Sequence, residues 1–323
     1  MRSDYLWDGS GEPDPEVLRL ERLLSEFRSD RPAPALPAGI PPAKPALRWA
    51  AVAATVVVAA AGAWLSTGSA PRAWRVAEPV AEVASLAVGQ VLETGNSGTI
   101  TVAIGNIGEV EVGANSRLRL VRDSRAQHRI RLDRGRIHAR IWAPPRSFVV
   151  DTPSAAAIDL GCAYTLDVKR DGSGLVTVTS GWVSFQRDGR ESFIPAGASC
   201  QTRPGVGPGT PYREEASPQF RGALQDLDFS HGGDAALSVV LSLATREDAF
   251  TLWHLLSRCP AAQKPRVYDT MAALVPPPTS VTRDGILRAD RKMLDAWWDA
   301  LDLGNTRWWR RYEGAWPDSP VIR

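Results

Sequence analysis

The sequence predicts a multidomain chain: a transmembrane helix, then an all-β sandwich or barrel-like domain, then a small all-α bundle. Three observations predict it. The stretch Trp49–Pro71 carries no charged residue. From about Val83 to Thr202 apolar residues recur at every second position, the period of a half-buried strand. After Pro218 they recur at helical spacing. The boundaries that follow are 1–30 for an N-terminal segment with an amphipathic helix, 31–48 for a Pro-rich linker and 49–70 for the transmembrane helix. The β domain takes 71–202, a Gly/Pro linker 203–217 and the α-helical domain 218–323.

In the N-terminal segment Asp14 suits an N-cap and Pro15 the first helical position. Val17, Leu20, Leu24 and Phe27 then recur along one face. One short amphipathic helix cannot bury that face alone, so these four residues are expected to contact a partner. Docking on the inner leaflet, or a tail helical only in part, are the rival readings. Residues 31–48 hold Pro32, Pro34, Pro37, Pro41, Pro42 and Pro45, the composition of a semi-rigid polyproline spacer.

About 20 uncharged residues in a helix cross the roughly 30 Å hydrocarbon core. Trp49 and Trp64 stand near the two ends of the run, where aromatic rings favour the interface. A buried soluble helix of this length normally shows a polar face, and this one shows none. A cleavable leader fits poorly, because its charged part would run to residue 48. Arg31, Lys44 and Arg48 precede the span against Arg72 and Arg75 after it, which favours a cytoplasmic N-terminus.

Strand candidates follow at 99–104, 110–112, 117–121, 128–132, 136–142, 147–151, 164–170, 175–180 and 182–187. Arg117, Arg119, Arg129, Arg131, Arg134, Arg136 and Arg140 fall on polar phases. A solvated face with acids interspersed explains them better than an anion site. Four segments in order carry a resemblance. They are Arg129-Ile-Arg-Leu132-Asp-Arg-Gly135, Phe148-Val-Val-Asp-Thr152, Leu160-Gly161-Cys162-Ala-Tyr164 and Val176-Thr-Val178-Thr-Ser-Gly181-Trp-Val183. Together, over about 85–200, they resemble the FecR domain, the extracytoplasmic module of bacterial transmembrane regulators. The resemblance implies a single-pass inner-membrane protein with a periplasmic β domain. It also implies protein partners on both sides of the membrane: a sigma factor bound by the N-terminal region, and an envelope protein sensed outside. Cys162 departs from the family's Thr, and the H-x-x-x-C-x-x-C of zinc-binding anti-sigma domains is absent.

The chain has three cysteines. Cys162 and Cys200 fall in one β module, so a disulfide between them is expected, with two unpaired core thiols as the alternative. Cys259 lies beyond the linker beside Pro260 and is expected to pack as a small apolar residue. In the helical third, Thr245 and Asp248 stand at capping-box spacing, and Asp290–Leu301 is strongly helical with Gly304 placed to end it. Trp253, Trp297, Trp298, Trp308, Trp309 and Trp316 fall here. Neighbours on a helix lie about 100° apart, so adjacent pairs are not expected to share one core. Trp298 and Trp309 are the residues expected at a protein or glycan contact.

Enzyme, cofactor, metal and nucleic-acid readings find little support. His254, Ser257 and Cys259 lack a third member, and His231-Gly-Gly-Asp234 reads as a turn and helix start. A formal charge of +2 gives no electrostatic case for DNA or RNA. The function expected is a FecR-like inner-membrane relay from a periplasmic signal to a cytoplasmic partner. The alternative is a membrane-anchored periplasmic scaffold or protein- or glycan-binding module.

Overall fold

The computed structural model describes residues 74–75 and 85–304, with Pro15 and Arg19 as two further helical, exposed positions. The chain divides into two units, Met1–Gly68 and Ser69–Arg323. The expected partner residues Val17, Leu20, Leu24 and Phe27, the Pro-rich linker and the charge-free span lie outside the described residues, as do Trp308, Trp309 and Trp316. Among the described residues no helix is long and apolar enough to cross a membrane.

Among the described residues, sixteen strands open the second unit. β1 (Trp74–Arg75) pairs with β2 (Ser85–Leu86). Then come β3 (Val91–Glu93), β4 (Ile100–Ile104), β5 (Gly108–Val112), β6 (Arg117–Asp123) and β7 (His128–Ile141). After these follow β8 (Phe148–Asp151), β9 (Ala156–Asp159), β10 (Ala163–Val168), β11 (Gly174–Ser180) and β12 (Trp182–Arg187). β13 (Arg190–Pro195), β14 (Ala198–Arg203), β15 (Gly207–Pro208) and β16 (Tyr212–Arg213) complete the set. β1 and β2 form a two-stranded sheet of their own, and β3 to β16 make a nearly closed barrel. The alternation read from the sequence is what the strands show: Ile100, Val102 and Ile104 are buried on β4, and Tyr164, Leu166 and Val168 on β10.

β7 organises the barrel. Its first half pairs with β6 and β8; its second half pairs with β5 and β10. The sequence pattern alone reads as two strands with a turn near Gly135. The structure has one strand of 14 residues with a kink there. Gly135 takes φ +100°, and a Cβ would stand 2.4 Å from the Ser116 Cα. The register skips Asp133, since Arg117 faces Arg134 while Leu118 faces Leu132. This bulge shifts the buried set from Ile130 and Leu132 to Ile137, Ala139 and Ile141, so the strand changes sheets with its apolar side still inward. The expected antiparallel order has one exception. β8 runs parallel to β7, with His128 facing Phe148. Parallel neighbours normally need a crossover of about a dozen residues. Here β7 curls until both its ends lie near one turn. Gly105 sits beside the His128 ring, while the Trp142 N–H donates to the Ile107 carbonyl. The loop 142–147 therefore suffices.

Six helices follow among the described residues: α1 (Pro218–Phe229), α2 (Gly233–Leu243), α3 (Ala249–Arg258), α4 (Lys264–Leu274), α5 (Arg283–Leu287) and α6 (Arg291–Asp299). Ser217, Thr282 and Asp290 cap α1, α5 and α6 with their side chains. Thr245 and Asp248 form the expected capping box at the turn before α3. The stretch expected as a linker does not stand free, because β15 and β16 both pair with β14. One buried cluster runs unbroken from strand residues such as Phe193 to helix residues such as Trp253 and Trp298.

Candidate functional site: the seam between strands and helices

The motif residues serve structure rather than chemistry. Arg129 and Asp151 are both buried and form a bidentate pair, Nε to Oδ2 at 2.6 Å and Nη2 to Oδ1 at 2.7 Å. The Thr152 hydroxyl donates to the Ala155 carbonyl and accepts from the Ala155 and Ser154 N–H groups, fixing the turn into β9. Gly181 takes φ +69°, and a Cβ there would stand 2.0 Å from the Gly161 carbonyl oxygen, so two chain reversals meet at glycine. Beside them Asp159 is buried, accepting from the Gly161 N–H at 2.7 Å and the Cys162 thiol at 2.6 Å. Burial pushes its carboxyl up to about 7, against those hydrogen bonds. The Cys162 thiol is pushed well up by burial and by Asp159. These groups hold turns together inside the barrel.

The disulfide expected between Cys162 and Cys200 is not formed; both are buried free thiols. Strand register gives the reason. Cys200 faces Val176 on β11, whereas Ala163, the neighbour of Cys162, faces Ser180. Two strand steps and at least four residues separate them, about 10 Å across and about 13 Å along. A disulfide needs a Cα–Cα separation of about 4.4–6.8 Å. The Cys200 Sγ instead donates to the Gly209 carbonyl at 3.2 Å. Cys259, as expected, packs buried at the end of α3.

The basic face also dissolves into pairs. Arg117 meets Glu93 and Asp133, Arg131 meets Asp133, Arg136 meets Asp167, and Arg140 meets Glu109 and Glu111. These are partly exposed contacts of small individual worth.

The sequence placed Trp298 at a partner surface; the structure buries it fully, as it does Trp297. The reason is that α6 lies between two layers. Trp297 packs edge-on to Tyr268 and donates to the Val275 carbonyl. About 100° round the helix, Trp298 meets Trp253, Phe193, Trp182 and His254. Such ring pairs add about 0.5–1.5 kcal/mol each beyond area burial.

What these rings cover is β13, which among the described residues ends one sheet by pairing only with β12. An uncovered edge presents free N–H groups. Here the Phe193 N–H donates to the His254 Nε2 at 3.0 Å, so Nε2 is the acceptor and Nδ1 carries the proton, donating to the Phe250 carbonyl at 2.7 Å. Burial, aided by nearby Arg258, holds this imidazole well below its usual range. Both nitrogens serve backbone groups, which leaves none for acid–base chemistry. Further along the strand, Arg258 at the end of α3 donates to the Glu191 carbonyl and the Ser192 hydroxyl, both at 2.6 Å, and to the Thr210 hydroxyl at 3.0 Å. Arg190 on β13 pairs with Asp228 on α1 at 2.7 Å, and Asp228 also accepts from the Thr210 N–H and hydroxyl. The seam is thus one polar network joining β13 to α1 and α3. Nothing in the sequence periodicity marked it, because its members are single polar residues far apart in the chain.

Comparison with known proteins agrees with the strand region. The model of the FecR protein family matches residues 90–184. This segment is a FecR domain. It holds all four motif segments and ends within β12, one strand short of the covered edge. Two crystal structures of a protein described as a "putative anti-sigma factor" from Parabacteroides distasonis ATCC 8503, at 2.50 and 1.65 Å resolution, are similar at 14% identity with a TM-score of 0.34. Each match covers 42% of this chain and 63% of the solved chain. No curated protein matches.

Proposed function

We propose that the protein is a FecR-type regulator anchored in the inner membrane by residues 49–70, with the N-terminus in the cytoplasm and the FecR domain and helices in the periplasm. In this reading a periplasmic signal is relayed to a cytoplasmic protein, a sigma factor, that the helix at 15–28 engages. One observation carries it: a FecR domain stands directly downstream of a charge-free stretch of membrane-spanning length. The relay requires a ligand or partner whose affinity differs between two states of the regulator. Family membership supports a binding role over catalysis, and the engagement of both His254 nitrogens is in keeping with that.

The test has two arms. A phosphatase reporter fused after Arg323 should be active and one fused after Asp30 inactive; the reverse pattern ends the reading. Replacing Leu20 and Leu24 together by Asp should abolish capture of the sigma factor while the FecR domain stays folded. Unchanged capture would remove the helix from the contact. A second reading, an envelope scaffold, is favoured by Trp142, which is 66% exposed at the end of β7. Capture of envelope proteins that is lost on Trp142→Ala, with no cytoplasmic partner, would select it.

A further inference from the structure

Beside the covered edge lies a pocket of about 330 Å³, at the small end of ligand pockets. Arg190, Asp228, His231, Arg258, Cys259 and Gln263 are among its lining residues. Two guanidinium groups meet here and one carboxylate answers them. Asp228 is engaged by Arg190 and by Thr210. Arg258 is half-buried, and its hydrogen bonds go to neutral oxygens: a carbonyl and two hydroxyls. Among the described residues it forms no ion pair. The Nε–H of Arg190 is buried and meets no acceptor. A half-buried guanidinium is normally matched by an anion, since an uncompensated charge away from water is costly. Burial lowers the Arg258 pKa most, Asp228 raises it and the neighbouring Arg190 lowers it.

We infer that this pocket binds a small oxyanion, a phosphate or carboxylate group, which pairs with Arg258 across from Asp228. Nη2 and one hydrogen of Nη1 are taken by β13 and Thr210, which leaves the Nε–H and the second Nη1 hydrogen of Arg258, with the Nε–H of Arg190, as donors for such a group. The pocket wall joins α1, α2, α3 and β13, so an occupant would fasten the helices to the edge they cover. The site gives the regulatory reading a ligand, but binding to the purified chain does not depend on membrane orientation or on any cytoplasmic partner. A failed reporter-fusion test would leave it standing.

The experiment titrates purified full-length protein with sodium phosphate, and separately with sodium succinate, against sodium chloride at matched ionic strength. Calorimetry and the thermal unfolding midpoint are read together. One or both oxyanions should bind saturably and raise the midpoint, chloride should not, and the arm that responds identifies the group. Arg258→Gln should abolish the response. Because Arg258 also ties β13 to α3, that variant is checked for native tryptophan fluorescence. A second variant, Gln263→Glu, adds a negative charge at the wall without touching those bonds and should weaken binding about tenfold. No saturable binding by the wild-type protein would overturn the proposal, as would undiminished binding by Gln263→Glu.

Discussion

Two buried side chains give opposite pH dependence, and the difference between them can be measured. Asp159 titrates at about 7 in the folded protein because it is buried, well above the ordinary carboxylate value of 3.8. The folded state therefore holds a proton that the unfolded state has released, and stability falls as pH rises from about 4 to about 7. His254 acts the other way. Its folded pKa is depressed by burial, so its contribution is complete above the usual imidazole range and is lost as pH falls through and below it. Asp159→Asn keeps an acceptor for the Gly161 N–H but cannot ionise. Its stability relative to wild type should grow on the order of 3 kcal/mol between pH 4.5 and 7.5 in urea titrations. Parallel curves for the two proteins would refute a carboxyl raised by burial. The spacing of Asp159, Gly161 and Cys162 was visible in the sequence. Their burial was not, since it depends on Gly181 arriving from another reversal.

At the level of elements, β7 shows what pattern reading reaches and where it stops. Both halves were legible as alternating strands. Their continuity was not, because Leu132-Asp-Arg-Gly135 reads as a turn by its local chemistry, and only the packing against Ser116 makes it a kink. Gly135→Ala should destabilise the domain by about 2–4 kcal/mol, from the positive φ and the missing space together. Adding Ser116→Gly should not restore it, because the Ser116 Cα itself stands 2.4 Å from the new Cβ position. Restoration by the double variant would show that the side chain alone makes the contact. Helix boundaries were more legible. Thr245, Asp248 and Asp290 act as caps through hydrogen bonds confined to one turn, and such signals do not need the rest of the chain.

Across the whole molecule, the β domain and the helices were each legible as classes, whereas their union was not. The sequence marked 203–217 as a linker by its glycines and prolines, yet β15 and β16 there join the sheet. The Trp298 prediction failed for the same reason: a bundle alone would have left it at the surface, but β13 supplies the second wall. A chain ended at Ser217 keeps β1 to β16 but loses His254, Arg258 and the tryptophans of α3 and α6 over β13. In a detergent that holds the 49–70 stretch of both chains, it should form oligomers or precipitate at micromolar concentration, read by light scattering, while the full chain stays dispersed. A monodisperse, stable truncation would mean the edge needs no cover. The sequence offered no sign of this dependence, since hydrogen bonds from α3 to β13 link residues more than 60 positions apart.

The kinked strand also has a mechanical consequence. In many two-layer β proteins the layers meet only through side chains and can slide past one another. Here a covalent backbone, β7, runs through both, with partners hydrogen-bonded on each side of either half. Shear between the layers would have to stretch that backbone or break two ladders together. The barrel therefore resists such shear through its own backbone as well as through its side chains.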